Sequence, residues 1–344
     1  MIRQHLHDWL QRAWYQNAAG YRLLLPLSGL YWLVITLRRT LYRSGIFKSH
    51  RVGVPVIVVG NVTAGGTGKT PTTIWLATAL KRAGFTPGIV SRGYGGSQSG
   101  APLRVDGASD TALVGDEPVL IARRSGCAVA VDRDRVRAAK LLIDDGADLI
   151  IADDGLQHLK LARDYEICVV DGQRWFGNRR VLPAGPLREP ASRAADVDQM
   201  LVNGPIERTP ESTTEQNAIS FSLVAKEAER LNGSLVRPLS GFAGETVHAA
   251  AAIGNPERFF DLLRRQGLDV IEHAFPDHAR LGRRQIDFGD ELNVFLTEKD
   301  AVKLDRDLGD RYWSIPVDLE MEPSLAGAWL AQIDSRMRNE QERV

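Results

Sequence analysis

The sequence predicts an α/β fold: a parallel sheet flanked by helices, a second, smaller α/β domain, and amphipathic helices at the N-terminus. Three observations carry this. Short apolar stretches at 54–59, 88–90, 127–131, 148–152, 167–170 and 197–202 alternate with helical patterns, and such alternation marks parallel strands covered on both faces. The stretch Thr63-Ala64-Gly65-Gly66-Thr67-Gly68-Lys69-Thr70 follows the first of these strands and opens a helix, the context of a phosphate-binding P-loop. After a polar, turn-rich segment at 203–217, strand and helix patterns resume. The expected boundaries are N-terminal membrane-interface helices at 1–50, a P-loop NTPase-type core at 51–210, a linker at 211–218, a smaller α/β domain at 219–330 that completes a cleft, and a C-terminal tail at 331–344.

At 344 residues, 44% apolar and 25% charged, the chain can bury a large core. Lys plus Arg and Asp plus Glu number 43 each, so no nucleic-acid partner is expected. Charge is uneven, however. Residues 1–50 carry seven basic residues (Arg3, Arg12, Arg22, Arg38, Arg39, Arg43, Lys48) against Asp8 alone. Cys127 and Cys168 fall on apolar predicted strands with no C-x-x-C or zinc spacing; they read as buried free thiols in a reducing compartment.

The N-terminal segment holds an apolar run at 23–37, flanked by Arg22 and Arg38-Arg39. At 15 residues it is short of the roughly 20 that span a bilayer, and no small-residue cleavage site follows. Upstream, Leu6, Trp9, Leu10 and Trp14 share a helical face. Basic residues interleaved with Trp, Tyr and Leu suggest helices lying in a membrane interface, the alternative being helices packed on the protein's own core.

The glycines at 63–70 let backbone N–H groups close around an anion. Lys69 can reach β and γ phosphates, and the Thr70 hydroxyl can ligate Mg²⁺. The helix that follows, about 70–83, points its positive end at the phosphates. The first position of the strict motif is Thr63 instead of Gly, with Gly65 and Gly66 nearby. The loop at 91–96 lacks the third glycine of a dinucleotide fingerprint, because residue 98 is Gln98. A helix starts near Gly115-Asp116-Glu117-Pro118, where two acids could act as base and metal ligand; another is expected over 133–144. The strand at 148–152 ends in Asp153-Asp154, which reads as a Walker B element able to hold Mg²⁺.

Eight segments in order resemble the tetraacyldisaccharide 4′-kinase family. They are 60–71 (Gly-Asn-Val-Thr-Ala-Gly-Gly-Thr-Gly-Lys-Thr-Pro), Ser91-Arg92-Gly93-Tyr94-Gly95, Gly115-Asp116-Glu117-Pro118, Asp153-Asp154-Gly155-Leu156-Gln157-His158, 182–190 (Leu-Pro-Ala-Gly-Pro-Leu-Arg-Glu-Pro), 254–260 (Gly-Asn-Pro-Glu-Arg-Phe-Phe), Phe275-Pro276-Asp277-His278 and 296–303 (Leu-Thr-Glu-Lys-Asp-Ala-Val-Lys). The resemblance runs from about residue 20 to about 305. It implies transfer of the ATP γ-phosphate to the 4′-hydroxyl of a tetraacylated glucosamine disaccharide 1-phosphate, giving lipid IVA. It further implies a need for Mg²⁺ and a place, peripheral or monotopic, at the cytoplasmic face of the inner membrane. No obligate protein partner is expected.

The resemblance makes Asp116 the base that takes the sugar proton and His278 its partner, with Lys69 and the loop residues 63–70 holding the nucleotide. Thr70, Glu117, Asp153 and Asp154 become metal candidates. Arg92, Tyr94, Arg135 and Arg188 become candidate substrate contacts, since Arg suits phosphate, and Gln157 and His158 candidate sugar contacts. One departure is Ala279, where the family commonly places His or an aromatic residue. Thr297-Glu298-Lys299-Asp300 resembles the guanine-reading motif of GTPases in composition but not in order; it is expected at a strand edge of the second domain. Two other readings remain open on motif grounds: a membrane-peripheral ATPase switch with no lipid acceptor, and a soluble small-molecule kinase, which leaves the basic, Trp-rich N-terminus without a task.

Overall fold

The computed structural model describes residues 2–16, 19–98, 100–206, 213–277, 279 and 281–343. Its strands are β1 (Val56–Gly60), β2 (Pro87–Ser91), β3 (Leu103–Val105), β4 (Ala128–Val131), β5 (Leu149–Asp153), β6 (Tyr165–Asp171), β7 (Gln199–Asn203) and β8 (Ile219–Val224). They continue with β9 (Glu227–Arg230), β10 (Val236–Pro238), β11 (Thr246–Ala251), β12 (Asp269–Ala274), β13 (Val294–Thr297), β14 (Tyr312–Ile315) and β15 (Asp318–Met321).

The larger sheet has the order β15-β8-β7-β6-β1-β5-β2-β4-β3. It is parallel except at its two edges, where β3 and β15 run antiparallel to their neighbours. Its central strands are apolar runs because both faces are covered. Side chains alternate across β1: Ile57 and Val59 join Leu76 and Ile151 on one face, while Val56 and Val58 join Ala139 and Leu142 on the other. β1 lies between β5 and β6 with Val59 beside Asp153. The loop after β1 and the acidic end of β5 therefore meet at the carboxyl edge of the sheet, where ligands bind in such folds.

The smaller sheet has the order β10-β9-β14-β13-β11-β12. Its core centres on Phe242, which meets the ring edges of Phe295 and Trp313, each at 5.0 Å. The chain enters this unit from β8 and leaves it into β15, two antiparallel neighbours in the larger sheet.

That arrangement corrects the boundary expected at 219–330. β8 and β15 belong to the larger sheet, and the helix Pro323–Gln341 packs on the core of that sheet. Trp329 of that helix stacks on Trp75 at 5.7 Å and donates from Nε1 to the Tyr165 hydroxyl at 3.1 Å. Trp329, Ile333 and Met337, spaced four residues apart, form the stripe that docks on the first core. The smaller unit thus spans about 225–317. The expected tail at 331–344 is helical to Gln341, and the expected linker contains the short helix Thr213–Gln216. Cys168 is buried on β6, whereas Cys127 precedes β4; both are free thiols.

At the N-terminus, helix Ile2–Tyr15 and helix Leu25–Arg43 follow one another. The continuous helical stretch Gly20–Arg43, 24 residues, is long and apolar enough to cross a membrane by length and composition, longer than the apolar run read from the sequence. One side of it is tied to the body: Ser28 donates to Val181 O at 2.6 Å, Tyr31 to Arg188 O at 2.9 Å, and Arg39 pairs with Asp196 at 2.6 Å. Its other side leaves Leu27, Leu30, Leu33, Val34 and Leu37 exposed.

Candidate active site

The loop after β1 is braced from within. Asn61, fully buried, points its amide at Thr67 Oγ1 (3.3 Å) and Gly65 O (3.4 Å). Gly65 and Gly68 take φ of 108° and 102°, backbone that L side chains rarely adopt. Gly68 has a second constraint: a Cβ there would stand 2.9 Å from Asn203 Nδ2, which itself donates to Thr67 O at 3.2 Å. The helix Lys69–Arg82 starts at once after Gly68, so its free N–H groups and dipole face the loop. From the side, residues 186–188 are stitched to the loop: Ala64 N donates to Pro186 O and Arg188 N to Val62 O, both at 2.7 Å.

The acidic end of β5 lies opposite. Asp154 turns into the left-handed region (φ 48°) and receives Lys69 Nζ at 3.5 Å and both contacts of Arg188 Nη1 at 2.9 and 3.0 Å. Burial alone would raise the Asp154 pKa, but Lys69, Arg188 and Arg135 outweigh it and hold the carboxyl well below the usual range. Asp153 differs. It is buried, accepts from Thr73 Oγ1 at 3.0 Å, and leaves Oδ2 without a partner among the described residues. Burial first, then the charges of Glu117 and Asp154, push its pKa up to about 7.

Asp116 and Glu117 begin the helix Asp116–Ser125. The N-cap is Gly115 (φ 89°), where a Cβ would meet Tyr94 O at 2.6 Å, so the 91–96 loop packs directly on the turn that presents Asp116. Asp116 Oδ1 accepts from Glu117 N at 2.9 Å and Oδ2 pairs with Lys303 at 3.3 Å. Glu117 pairs with Lys299 at 3.0 Å. Burial would lower the Lys299 pKa, yet Glu117, Asp116 and Asp277 raise it above the usual lysine value. Lys299 and Lys303 come from the smaller unit, which also reaches the P-loop: a Cβ on Gly254 would stand 2.9 Å from Gly66 N and 3.3 Å from Asp277 Oδ2.

The structure therefore brings together Lys69, Asp153, Asp154, Arg188, Asp116 and Glu117, with Thr70 second in the P-loop helix. His278 lies outside the described residues. Arg92 and Tyr94 are exposed on the loop beside Gly115. Three expected substrate contacts face inward instead. Arg135 is buried, and its Nη2 donates to Asp153 O (3.0 Å) and Asp154 O (2.8 Å), bracing the left-handed turn. Gln157 donates to Asn61 O at 3.0 Å and Glu189 at 2.8 Å. His158 is held neutral: burial, then Arg135, lowers its pKa to about 4, and its Nε2 has no partner among the described residues. The Thr297–Asp300 segment lies where expected, at the end of a strand of the smaller unit, β13. Thr297 caps the short helix Glu298–Ala301, which faces Asp116–Ser125.

Among the described residues no three His, Cys, Asp or Glu side chains gather as a metal cage. Glu117 and Asp154 are engaged by cations, which leaves Asp153, with its unpartnered buried oxygen, and the Thr70 hydroxyl as the donors that fit a divalent ion sharing its shell with phosphate. Sequence reasoning missed Asn61, Asn203, Lys299 and Lys303 as site residues. The signal for the first was its place in the 60–71 segment, and for the lysines the 296–303 segment.

A glycine loop with a lysine at a helix start, facing a strand-end carboxylate pair across a parallel sheet, defines a P-loop protein that binds nucleoside triphosphates. The chain belongs to the tetraacyldisaccharide-1-P 4′-kinase family, whose model matches residues 21–335. It is 47% identical over 335 residues to the tetraacyldisaccharide 4′-kinase of Xanthomonas campestris pv. campestris, covering 93% of both chains. It is 48% identical over 326 residues to that of Stenotrophomonas maltophilia, covering 93% of this chain and 94% of the relative. Among solved structures it resembles the "apo" form of LpxK from Aquifex aeolicus in complex with ATP, with a TM-score of 0.73, 28% identity, and coverage of 91% of this chain and 99% of that one.

Proposed function

We propose that this protein transfers the γ-phosphate of ATP to the 4′-hydroxyl of a tetraacylated glucosamine disaccharide 1-phosphate, forming lipid IVA in lipid A biosynthesis. The observation that carries the proposal is the arrangement at one sheet edge: Lys69 and Arg188 both pair with Asp154, and Glu117, beside Asp116 at the start of its helix, acts electrostatically on Arg188 and Asp153, so cations for a triphosphate lie on one side and carboxylates for an alcohol on the other. Loop amides of 63–70 and Lys69 hold the β and γ phosphates. Arg188 faces the same oxygens and offsets charge as the phosphoryl group moves. Asp116 accepts the 4′-hydroxyl proton while the sugar oxygen forms its bond to phosphorus and ADP leaves. His278 is proposed as its partner. Thr70 and Asp153 are the residues that would hold Mg²⁺, which would supply charge neutralisation on the phosphates.

The apolar face Leu27–Leu37, next to Arg22, Arg38 and Arg39, suits a helix lying in the bilayer interface, and we place the protein at the cytoplasmic face of the inner membrane. Arg92 and Tyr94, exposed near Asp116, are the remaining candidates for contacts with the lipid. The test is incubation with radiolabelled ATP and the disaccharide 1-phosphate lipid. Label at the 4′ position is expected, and Asp116→Ala should lose turnover while keeping ATP binding. Release of inorganic phosphate with the lipid unchanged would replace the kinase with an ATPase switch.

A further inference from the structure

The smaller unit contributes more to the reaction centre than a wall. Lys303 is nearly buried, and the structure gives its ammonium three acceptors: Asp300 Oδ1 at 2.8 Å, Asp116 Oδ2 at 3.3 Å and Ala279 O at 3.3 Å. An ammonium has three N–H donors, so this set uses all of them. Its anchor is fixed in turn. Asp300 is fully buried, and its Oδ2 accepts from Thr297 Oγ1 at 2.6 Å and from Ala252 N at 2.9 Å. Ala252 follows β11 and Thr297 ends β13, so the position of the ammonium is set by the sheet of the smaller unit. Asp116, for its part, has one oxygen on Glu117 N and the other on Lys303. Its carboxylate plane is therefore fixed jointly by its own helix and by a cation from across the cleft.

We propose that Lys303 is a positioning residue for the phosphoryl transfer: it orients Asp116 toward the acceptor hydroxyl and, through Ala279 O, ties Ala279 to the same point. This rests on Asp116 being the base. Lysine suits the task because a point cation can be shared among three acceptors in different planes, which the flat guanidinium of arginine does less well. At position 279, where the resemblance expects a large side chain, the contact is instead made by the backbone carbonyl. The neighbouring pair Lys299–Glu117 and the reversed pair Arg124–Glu298 (2.6 Å) fix the two helices in the same register.

The experiment is a double-mutant cycle on the full-length kinase with the lipid acceptor, measuring kcat, KM for ATP, ATP-analogue affinity and melting temperature for Lys303→Met, Asp116→Ala and the double variant. Lys303→Met is expected to lower kcat by about a hundredfold, the scale of a misplaced reacting group, with ATP affinity and KM for ATP little changed. In the Asp116→Ala background it should cost nothing more, because a residue acting only through Asp116 has no separate effect. Lys303→Arg should recover part of the loss. If Lys303→Met leaves an unpaired buried charge and will not fold, Asp300→Asn with Lys303→Met removes that charge, and the same kcat loss is expected. The inference is overturned if kcat is unchanged, if ATP affinity falls in step with kcat and melting temperature, or if the loss is equally large without Asp116. Asp116→Ala with full turnover would instead overturn the base assignment itself.

Discussion

Arg188 holds Asp154 through one nitrogen on both carboxylate oxygens, at 2.9 and 3.0 Å, while Lys69 meets the same carboxylate at 3.5 Å. Two cations that a triphosphate needs are thus already gathered at the end of β5 by an acid whose backbone is turned left-handed to reach them. The loop carrying Arg188 is bonded to the P-loop through its own backbone, so the side chain is aimed by two supports.

Arg188→Ala should therefore lower kcat by on the order of a hundredfold, the usual consequence of losing one charged donor at a developing anion. Arg188→Lys should recover only part of it, because lysine lacks the planar fork. Steady-state kinetics with the lipid acceptor decide this. A loss confined to KM for ATP would mean that Arg188 serves ground-state binding alone.

His158 should make stability depend on pH. Its folded pKa is about 4, below the ordinary 6.5, so the unfolded chain takes up a proton first as pH falls. The stability it contributes is complete above about pH 6.5 and is lost as pH drops toward 4. Wild type should thus lose more melting temperature between about pH 7 and about pH 5 than His158→Asn, which cannot titrate. Parallel curves for the two proteins would contradict the neutral, buried imidazole.

Trp329→Ala should destabilise the larger unit by about 3–5 kcal/mol, the range for removing a buried aromatic, because the Trp75 stack and the Tyr165 hydrogen bond vanish together. Urea unfolding measures it. A small change would indicate that the C-terminal helix docks weakly on the first core.

Leu30→Glu with Leu33→Glu places two charges on the exposed face of the N-terminal helix. Each leucine that enters the bilayer contributes about 1.5–3 kcal/mol, so vesicle cosedimentation should weaken by about a hundredfold or more. The far-UV spectrum should not change. Undiminished vesicle binding would mean that this face is not the membrane contact.

Much of the architecture was legible in the residues, and the reason is local. The Val-Ile runs, the glycines of 63–70 and the strand-ending Asp153-Asp154 each declare themselves within a few positions, and the parallel sheet followed from their alternation. Ownership was not local. Helix Pro323–Gln341 shows which stripe it buries, but no periodicity says that the stripe meets Trp75 and not the smaller unit. Strand β15 pairs with β8 across the whole second lobe, and such pairing leaves no mark on either segment. In the site, residue type misled where burial decides the role. Arg135 looks like a phosphate ligand in sequence, yet its guanidinium holds carbonyls of the Asp153-Asp154 turn. Lys299 and Lys303 carried no site role in the sequence, where the segment was expected only at a strand edge, yet they pair with Glu117 and Asp116.

The hydrogen bonds from Ser28 to Val181 O and from Tyr31 to Arg188 O make the N-terminal helix a brace for the segment that carries Arg188. Trimming the first 43 residues to obtain a better-behaved protein would remove both of these fastenings, and that from Trp14 Nε1 to Pro183 O, together with the greasy surface. Solubility and chemistry cannot be separated at this terminus by truncation; recoding the outward leucines while leaving Ser28 and Tyr31 in place is the route that keeps the site whole.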